Sequence, residues 1–189
     1  MKDRNNVHVF GGDDSGVYVA PLGSQPPAAL EAPTAPWKDS GWLGEDGIGL
    51  EQKIKKELLR GHQGGAVVRT TFSEFERTFK VTMLESNAVT FGLVNPGSKL
   101  TVADGVARAT LSDSPKVKPV AAIFDEFEIE PRADGTFAQV RYICPRGTFD
   151  PSIKAEYKYG EVTAYEFEFT PEGPVDIVTN LPGYIAAAG

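Results

Sequence analysis

At 189 residues the chain is long enough for one domain with a sizeable core, and its 41% apolar residues exclude a disordered composition. The net charge of −7 argues against tight, indiscriminate phosphate binding, although an acidic total is also an ordinary aid to solubility. The lone cysteine, Cys144, excludes an intrachain disulfide, and no apolar run is long enough to span a bilayer.

The first third of the chain is dominated by loop signals. Residues 1–16 are polar and glycine-rich, which predicts a flexible N-terminal arm. Their acidic glycine loop lacks the ligand spacing of an EF-hand, so we do not expect a metal site there. Residues 17–20 predict a short strand, and the Pro/Ala-rich residues 22–36 predict an extended surface loop.

Two tryptophans follow within six residues of each other. Trp37 and Trp42 flank an Asp-Ser-Gly turn. Such a pair either forms a platform for a sugar ring or anchors a loop on the core through apolar contact. Loop anchoring is the commoner use and is our expectation.

Residues 44–65 predict a loop or an arm. Leu50, Ile54 and Leu58 have helical spacing, and Glu51 and Lys55 form a favourable pair four residues apart. Glycine turns on both sides are equally typical of a long hairpin arm. The sequence leaves helix and hairpin open at 50–60.

Residues 66–94 organise the rest of the chain. The odd positions of residues 75–83 are apolar except for Arg77, which predicts a strand with one buried face. Residues 68–72 have their apolar side on the other parity, so a turn or bulge near Ser73 and Glu74 must switch the faces. Residues 88–94 then predict a short helix capped by Ser86 or Asn87.

The remaining chain predicts hairpins. Asp104-Gly105 between two strand-like runs indicates a tight hairpin. A second hairpin joins a strand at 123–130 to a return strand at 137–143, which we expect to end at Pro145 before a loop. The last strands are predicted at 163–169 and 175–178, and residues 181–189 predict a loose C-terminal tail.

The elements together predict a single domain over residues 1–189. Its fold class is mainly β: an antiparallel β-sandwich or barrel with one flanking α-helix and long extended loops or arms.

The residues give no sign of a reaction centre. Glycoside hydrolysis needs two carboxyl groups facing one cleft, whereas the glutamates here alternate along strands as in any half-exposed sheet. Two histidines and an unpartnered Cys144 indicate neither nucleophilic catalysis nor a zinc site. We therefore expect no enzyme activity, no metal and no cofactor.

An ordered set of short segments resembles a known family. The segments are GVYVAP (16–21), WKDSGWLGEDG (37–47), VVRT (67–70), FKVTMLESN (79–87), RYICPRG (141–147) and EVTAY (161–165). In this order, they resemble the major tail proteins of long-tailed (siphovirus-type) phages of actinobacteria. The resemblance spans most of residues 16–170.

The resemblance implies a structural virion protein made in the host cytoplasm and built into the phage tail. Such subunits form homo-oligomeric rings, usually six-membered, that stack into a tube. The tube holds the tape measure protein, ends at a tail terminator, and conducts DNA without binding it specifically or meeting a membrane. Two acidic rows are candidates for its channel wall, or simply for the wet face of two strands: Glu126, Glu128, Glu130, Glu166 and Glu168.

Two other functions fit the same composition. One is a monomeric β-sandwich module that binds carbohydrate through Trp37 and Trp42. The other is a capsid-decorating or head–tail connector protein. Assembly into extended tubes distinguishes the tail protein from both.

Overall fold

The computed structural model describes residues 6–60, 62, 64–132, 134–150 and 157–188. It is 49% strand and 8% helix, and its sheets are antiparallel, which confirms the predicted fold class. The elements are β1 (Gly16–Pro21), β2 (Lys38–Asp39), β3 (Leu43–Arg60), β4 (Val67–Met83), α1 (Ala88–Val94), β5 (Lys99–Ala103), β6 (Val106–Thr110), β7 (Val120–Phe127), β8 (Gln139–Phe149), β9 (Tyr165–Pro171), β10 (Asp176–Thr179) and α2 (Pro182–Ala188).

The main sheet folds back on itself. Its strand order is β2-β1-β7-β8-β9-β4-β3, and β10 also pairs with β8. β8 and β9 separate β4 from β7 in this order, yet Phe79 of β4 stacks on Phe124 of β7 with ring centroids 4.3 Å apart. The two ends of the sheet therefore face each other as the layers of a sandwich.

Aromatic rings fill the space between the layers. The cluster contains Phe79, Phe124, Phe149, Phe167 and Phe169, each buried, with Phe149 and Phe169 centroids 4.8 Å apart. β9 follows the predicted period of two, because Tyr165, Phe167 and Phe169 are buried while Glu166 and Glu168 are exposed. Aromatic pairs in such geometry add about 0.5–1.5 kcal/mol each beyond the area that they bury.

The Pro/Ala-rich loop covers the outer face of the layer that contains β1, β7 and β8. Trp37 ends this loop, is 8% exposed, and packs with Ile123 and Ile143. Its Nε1 donates to the carbonyl oxygen of Gln25 at 2.8 Å. Trp37 is thus the loop anchor that the sequence predicts, and β7 is buried on both faces.

A buried ion pair ties the loop to β8. Nε and Nη2 of Arg141 donate to the two carboxylate oxygens of Asp125 at 2.7 and 2.6 Å. Nη1 of Arg141 donates to the carbonyl oxygens of Ala29 and Glu31 at 3.0 and 2.7 Å. Burial raises the pKa of Asp125, and the neighbouring guanidinium opposes that rise.

The predicted helix forms as α1. Asn87 is its N-cap and accepts hydrogen bonds from the backbone N–H groups of Val89 and Thr90 at 2.8 and 3.1 Å. The Thr90 hydroxyl accepts in return from the Asn87 N–H at 2.9 Å, completing a capping box. The Asn87 side chain also donates to the Ser40 carbonyl at 2.8 Å, so the cap docks the helix on the turn after β2.

Residues 50–60 are strand, which settles the choice between helix and hairpin. β3 and β4 pair from Leu43 to Arg60 as one long hairpin, whose distal part we call the arm (residues 50–77). The predicted bulge is confirmed: Ile54 pairs with Phe75 and Lys55 with Ser73, leaving Glu74 unpaired at φ +53°. The Asp104-Gly105 hairpin also forms, with both residues at positive φ, as a two-residue type I′ turn requires.

Two segments expected to be loose are ordered where they are described. Gly11 and Gly12 both donate backbone N–H groups to the carbonyl oxygen of Phe127, and Ile129 donates to Val9. This part of the predicted 1–16 arm therefore runs beside the end of β7; residues 1–5 lie outside the described residues. The predicted loose tail at 181–189 instead contains α2, begun by Pro182 after the buried Leu181.

The predicted end of β8 at Pro145 is wrong. β8 continues to Phe149, and the expected loop after Pro145 is strand as far as that residue. Opposite Pro145 the register shifts, because Ala122 pairs with Cys144 and Val120 with Gly147. The bulge spares proline a ladder hydrogen bond that it cannot donate, so the strand tolerates it.

Candidate functional site

The exposed face of β9, β4 and β3 carries charges in contact. Nζ of Lys80 lies 3.1 Å from Oε2 of Glu51 and 3.3 Å from Oε1 of Glu168. The hydrogen bonds with Glu51 and then Glu168 raise the pKa of Lys80. The hydrogen bonds from Lys53 and then Lys80 lower the pKa of Glu51. Both shifts favour the charged forms of Lys80 and Glu51.

Acidic groups outnumber the lysine on this face. A depression of about 530 Å³ lies beside Lys80, and Asp46, Asp150, Glu166 and Glu168 are among its lining residues. Glu166 and Glu168 occupy alternate positions of β9, so both project to the same side. The predicted acidic row of Glu166 and Glu168 is therefore exposed to solvent.

The other predicted row does not form one exposed face. Glu126 is half-buried and accepts a hydrogen bond from the Ile48 N–H at 3.1 Å, and burial raises the pKa of its carboxyl group. Oε1 of Glu128 lies 3.1 Å from Nδ1 of His8, and both side chains are mostly covered. Of these three glutamates only Glu130 is exposed.

An acidic cleft surrounds the second tryptophan. Trp42 is 68% exposed, whereas Trp37 is buried, so the two rings form no sugar platform and Trp42 does not anchor a loop. A cavity of about 360 Å³, which we call the acidic cleft, is lined by Trp42, Asp13, Asp39, Glu45 and Glu85 among others. Glu85 accepts a hydrogen bond from the Trp42 N–H at 3.0 Å and fills the place of a side chain at Gly41, which has φ +87°.

One face of the arm is apolar and basic. Residues directly opposite in an antiparallel pair share a face, and the pairs here are Ile54 with Phe75, Lys56 with Phe72, and Gln52 with Arg77. We call this side the apolar-basic face (Ile54, Lys56, Leu58, Phe72, Phe75 and Arg77). Phe72 is 70% exposed and Phe75 is 56% exposed. The other face holds ion pairs such as Lys55 with Glu74 at 3.0 Å.

A family comparison decides the identity of the chain. The model of the family described as phage tail tube protein matches residues 4–170. The chain belongs to the phage tail tube protein family. It is therefore a structural subunit of the virion tail, and its family implies homo-oligomeric assembly into a tube. No curated protein matches the chain.

The described residues of the tail tube subunit give little support for catalysis. Burial raises the pKa of Cys144 to about 12, so this thiol is not a ready nucleophile. Within the described ranges no group of three or more His, Cys, Asp and Glu side chains is arranged to hold a metal ion. No helix in that part of the chain is long and apolar enough to cross a membrane. A structural family favours a role without catalysis.

Sequence reasoning missed two surface features of the tail tube subunit, the acidic cleft and the apolar-basic face of the arm. The acidic cleft joins residues from the N-terminal segment, from the turn after β2 and from the end of β4, which no local pattern connects. The apolar-basic face had one visible signal. Arg77 interrupts an otherwise apolar strand side, and a polar residue at such a position needs a partner.

Proposed function

We propose that the tail tube subunit assembles with identical copies into six-membered rings that stack into the tail tube. The tube holds the tape measure protein, ends at the tail terminator and later conducts DNA. One observation carries the ring proposal: β3, with 18 residues, ends the main sheet and is hydrogen-bonded to β4 alone among the described strands.

An open edge of this length favours closure with a neighbour. A long exposed edge strand presents unpaired N–H and C=O groups, and soluble proteins normally shorten, cover or pair such edges. At the opposite end of the sheet, β2 has only two residues. A ring of identical subunits removes the edge by pairing it with the next copy, in a repeated head-to-tail contact.

The row of Glu166 and Glu168 is our candidate for the channel wall. Both side chains are exposed on a continuous strand face, and Asp46 and Asp150 line the same depression. Because DNA phosphates carry the same charge, an acidic wall lets the strand slide instead of adhering. Glu126 and Glu128 are partly buried against Ile48 and His8, whereas Glu166 and Glu168 are exposed, although Glu168 also pairs with Lys80. The greater exposure favours the β9 row.

Microscopy of the purified protein tests the assembly. Size-exclusion chromatography with light scattering over a wide concentration range should show oligomers, and negative-stain images should show rings or tubes. A strict monomer at every concentration, absent from phage particles, would refute the proposal. Gel-mobility assays on polysaccharides test the carbohydrate-binding alternative, which predicts a retarded monomer. In a tube reconstruction, Glu166 and Glu168 on the outer wall would remove the channel assignment.

A further inference from the structure

We propose that the apolar-basic face of one subunit's arm docks into the acidic cleft of a neighbouring copy. This inference rests on the proposed assembly and names the surfaces that meet in it. Arg77 and Lys56 face carboxylates of the cleft, and Trp42 provides apolar surface for the phenylalanines of the arm.

The exposed rings of the arm call for a partner. Phe72 and Phe75 are 70% and 56% exposed, and Ile54 and Leu58 beside them are 55% and 42% exposed. At roughly 200 Å² for each aromatic side chain, the two phenylalanines alone leave about 250 Å² in water. Together with the aliphatic neighbours this is a contiguous patch of the size that marks a contact surface.

Two cations on the same face have no ion-pair partner among the described residues. Nε of Arg77 is buried and has no hydrogen-bond partner in the described part of the chain; its guanidinium lies 5.1 Å from the centroid of the Phe75 ring. Lys56 makes no ion pair with any described residue, whereas its neighbour Lys55 pairs with Glu74 on the opposite face. Neither Arg77 nor Lys56 has a carboxylate partner among the described residues, so a surface rich in carboxylates is the favourable cover for this face.

Charge singles out the acidic cleft as the complementary surface. The arm, residues 50–77, contains six basic and four acidic residues and has a net charge of +2. The rest of the chain therefore has a net charge of −9, which gives the total of −7. The apolar-basic face itself contains no acidic residue, while the cleft gathers Asp13, Asp39, Glu45 and Glu85 around an exposed tryptophan. Opposite potentials and matched apolar areas steer and orient the contact.

The geometry makes the contact intermolecular. The arm extends about ten residues beyond Leu50 at about 3.4 Å per residue, a reach of roughly 34 Å. The cleft lies at the arm's own base, because Leu43 and Gly47 line it. The distal arm and the cleft are therefore separate surfaces of one chain. A contact between them is head-to-tail, which builds rings or continuing stacks instead of closed pairs.

A pair of neighbouring leucines tests the face of the arm. Leu58 belongs to the apolar-basic face, whereas Leu59 belongs to the opposite face and is more exposed, at 62%. Leu58→Asp should raise the concentration for half-assembly by at least about 30-fold, the size expected for an interface hot spot. Leu59→Asp should leave it within about threefold. Equal effects of the two variants, with unchanged circular dichroism and melting, would overturn the proposal.

A charge exchange tests the receiving surface. Lys56→Glu and Glu45→Lys should each weaken assembly, and the double variant should recover most of the lost affinity because the pair is restored with reversed sign. Lys55→Glu with Glu45→Lys is the matched control and should not recover. A double variant no better than its singles overturns the cleft assignment while wild-type tubes still support the proposed function. If the wild-type protein stays monomeric and retards DNA in a gel-shift assay, both the docking proposal and the proposed assembly are wrong.

Discussion

Replacing Arg141 with methionine should strongly destabilise the subunit. Arg141 and Asp125 are each 1% exposed, and the two charges meet through paired hydrogen bonds. Methionine fills much of the volume but leaves the Asp125 carboxylate buried without a counter-ion. It also removes the donor to the carbonyl oxygens of Ala29 and Glu31, which hold the Pro/Ala loop.

The magnitude follows from these contacts. Breaking a buried ion pair by removing one partner costs about 3–5 kcal/mol, and each unsatisfied carbonyl adds about 1 kcal/mol or more where water does not replace the donor. A domain of this kind is stable by about 5–15 kcal/mol, so the variant loses about a fifth of its stability or more. Asp125→Leu combined with Arg141→Met should lose less than Arg141→Met alone, because no charge is left buried.

Urea titration followed by circular dichroism and by Trp37 fluorescence measures both variants. The pH dependence supplies a second readout. Without the guanidinium, burial raises the pKa of Asp125 with only the weaker effect of the Gln139 side chain against it. A raised carboxyl pKa leaves the stability intact below the unfolded pKa of about 3.9 and reduces it as pH rises. The deficit of Arg141→Met should therefore be smaller near pH 4 than at pH 7. A loss below about 1 kcal/mol, or a double variant as unstable as the single, would refute the reasoning.

Three further changes have defined outcomes. Cys144 should resist a thiol reagent until the protein unfolds. Because burial raises its pKa to about 12, its contribution to stability is complete below about pH 8.5 and declines at higher pH. Cys144→Ala should therefore reduce the fall in melting temperature at alkaline pH. Asn87→Ala should cost about 1–2 kcal/mol in urea titrations, since it removes the cap of α1 and the donor to Ser40. Gly147→Ala should cost about 1–3 kcal/mol, because its Cβ would collide with the Phe169 ring and lie 2.7 Å from the Thr170 carbonyl oxygen; an unchanged melting temperature would show that β8 shifts freely.

Local patterns predicted most of the strands because a half-buried strand alternates apolar, buried residues with polar, exposed ones. β9 is the clearest case, with buried Tyr165, Phe167 and Phe169 between exposed glutamates. The cap at Asn87 and the turn at Asp104-Gly105 were equally visible, since each depends on residues within four positions of one another.

Contacts between distant segments were not visible in the sequence. Alternation with Ile123 and Phe127 puts Asp125 on the apolar side of its strand, but nothing local shows what neutralises or covers it there. Its partner Arg141 lies on the next strand, and the Pro/Ala loop that covers it is about a hundred residues upstream. The continuation of β8 past Pro145 likewise depends on a register shift in the partner strand. Helix and hairpin remained open at 50–60 because apolar spacing of four satisfies both periods, and only pairing with β4 decides between them.

The bulge at Glu74 connects the sequence pattern to assembly. Phe72 and Phe75 are three positions apart, so in a regular strand they would point to opposite faces. With Glu74 unpaired at positive φ, both rings and Ile54 lie on one side, beside Lys56 and Arg77. A non-glycine residue in this conformation costs about 1–2 kcal/mol, yet both rings of the resulting stripe stay more than half exposed within their own subunit. In the proposed docking a second copy covers this apolar-basic face, and burial of the face offsets the backbone strain at Glu74.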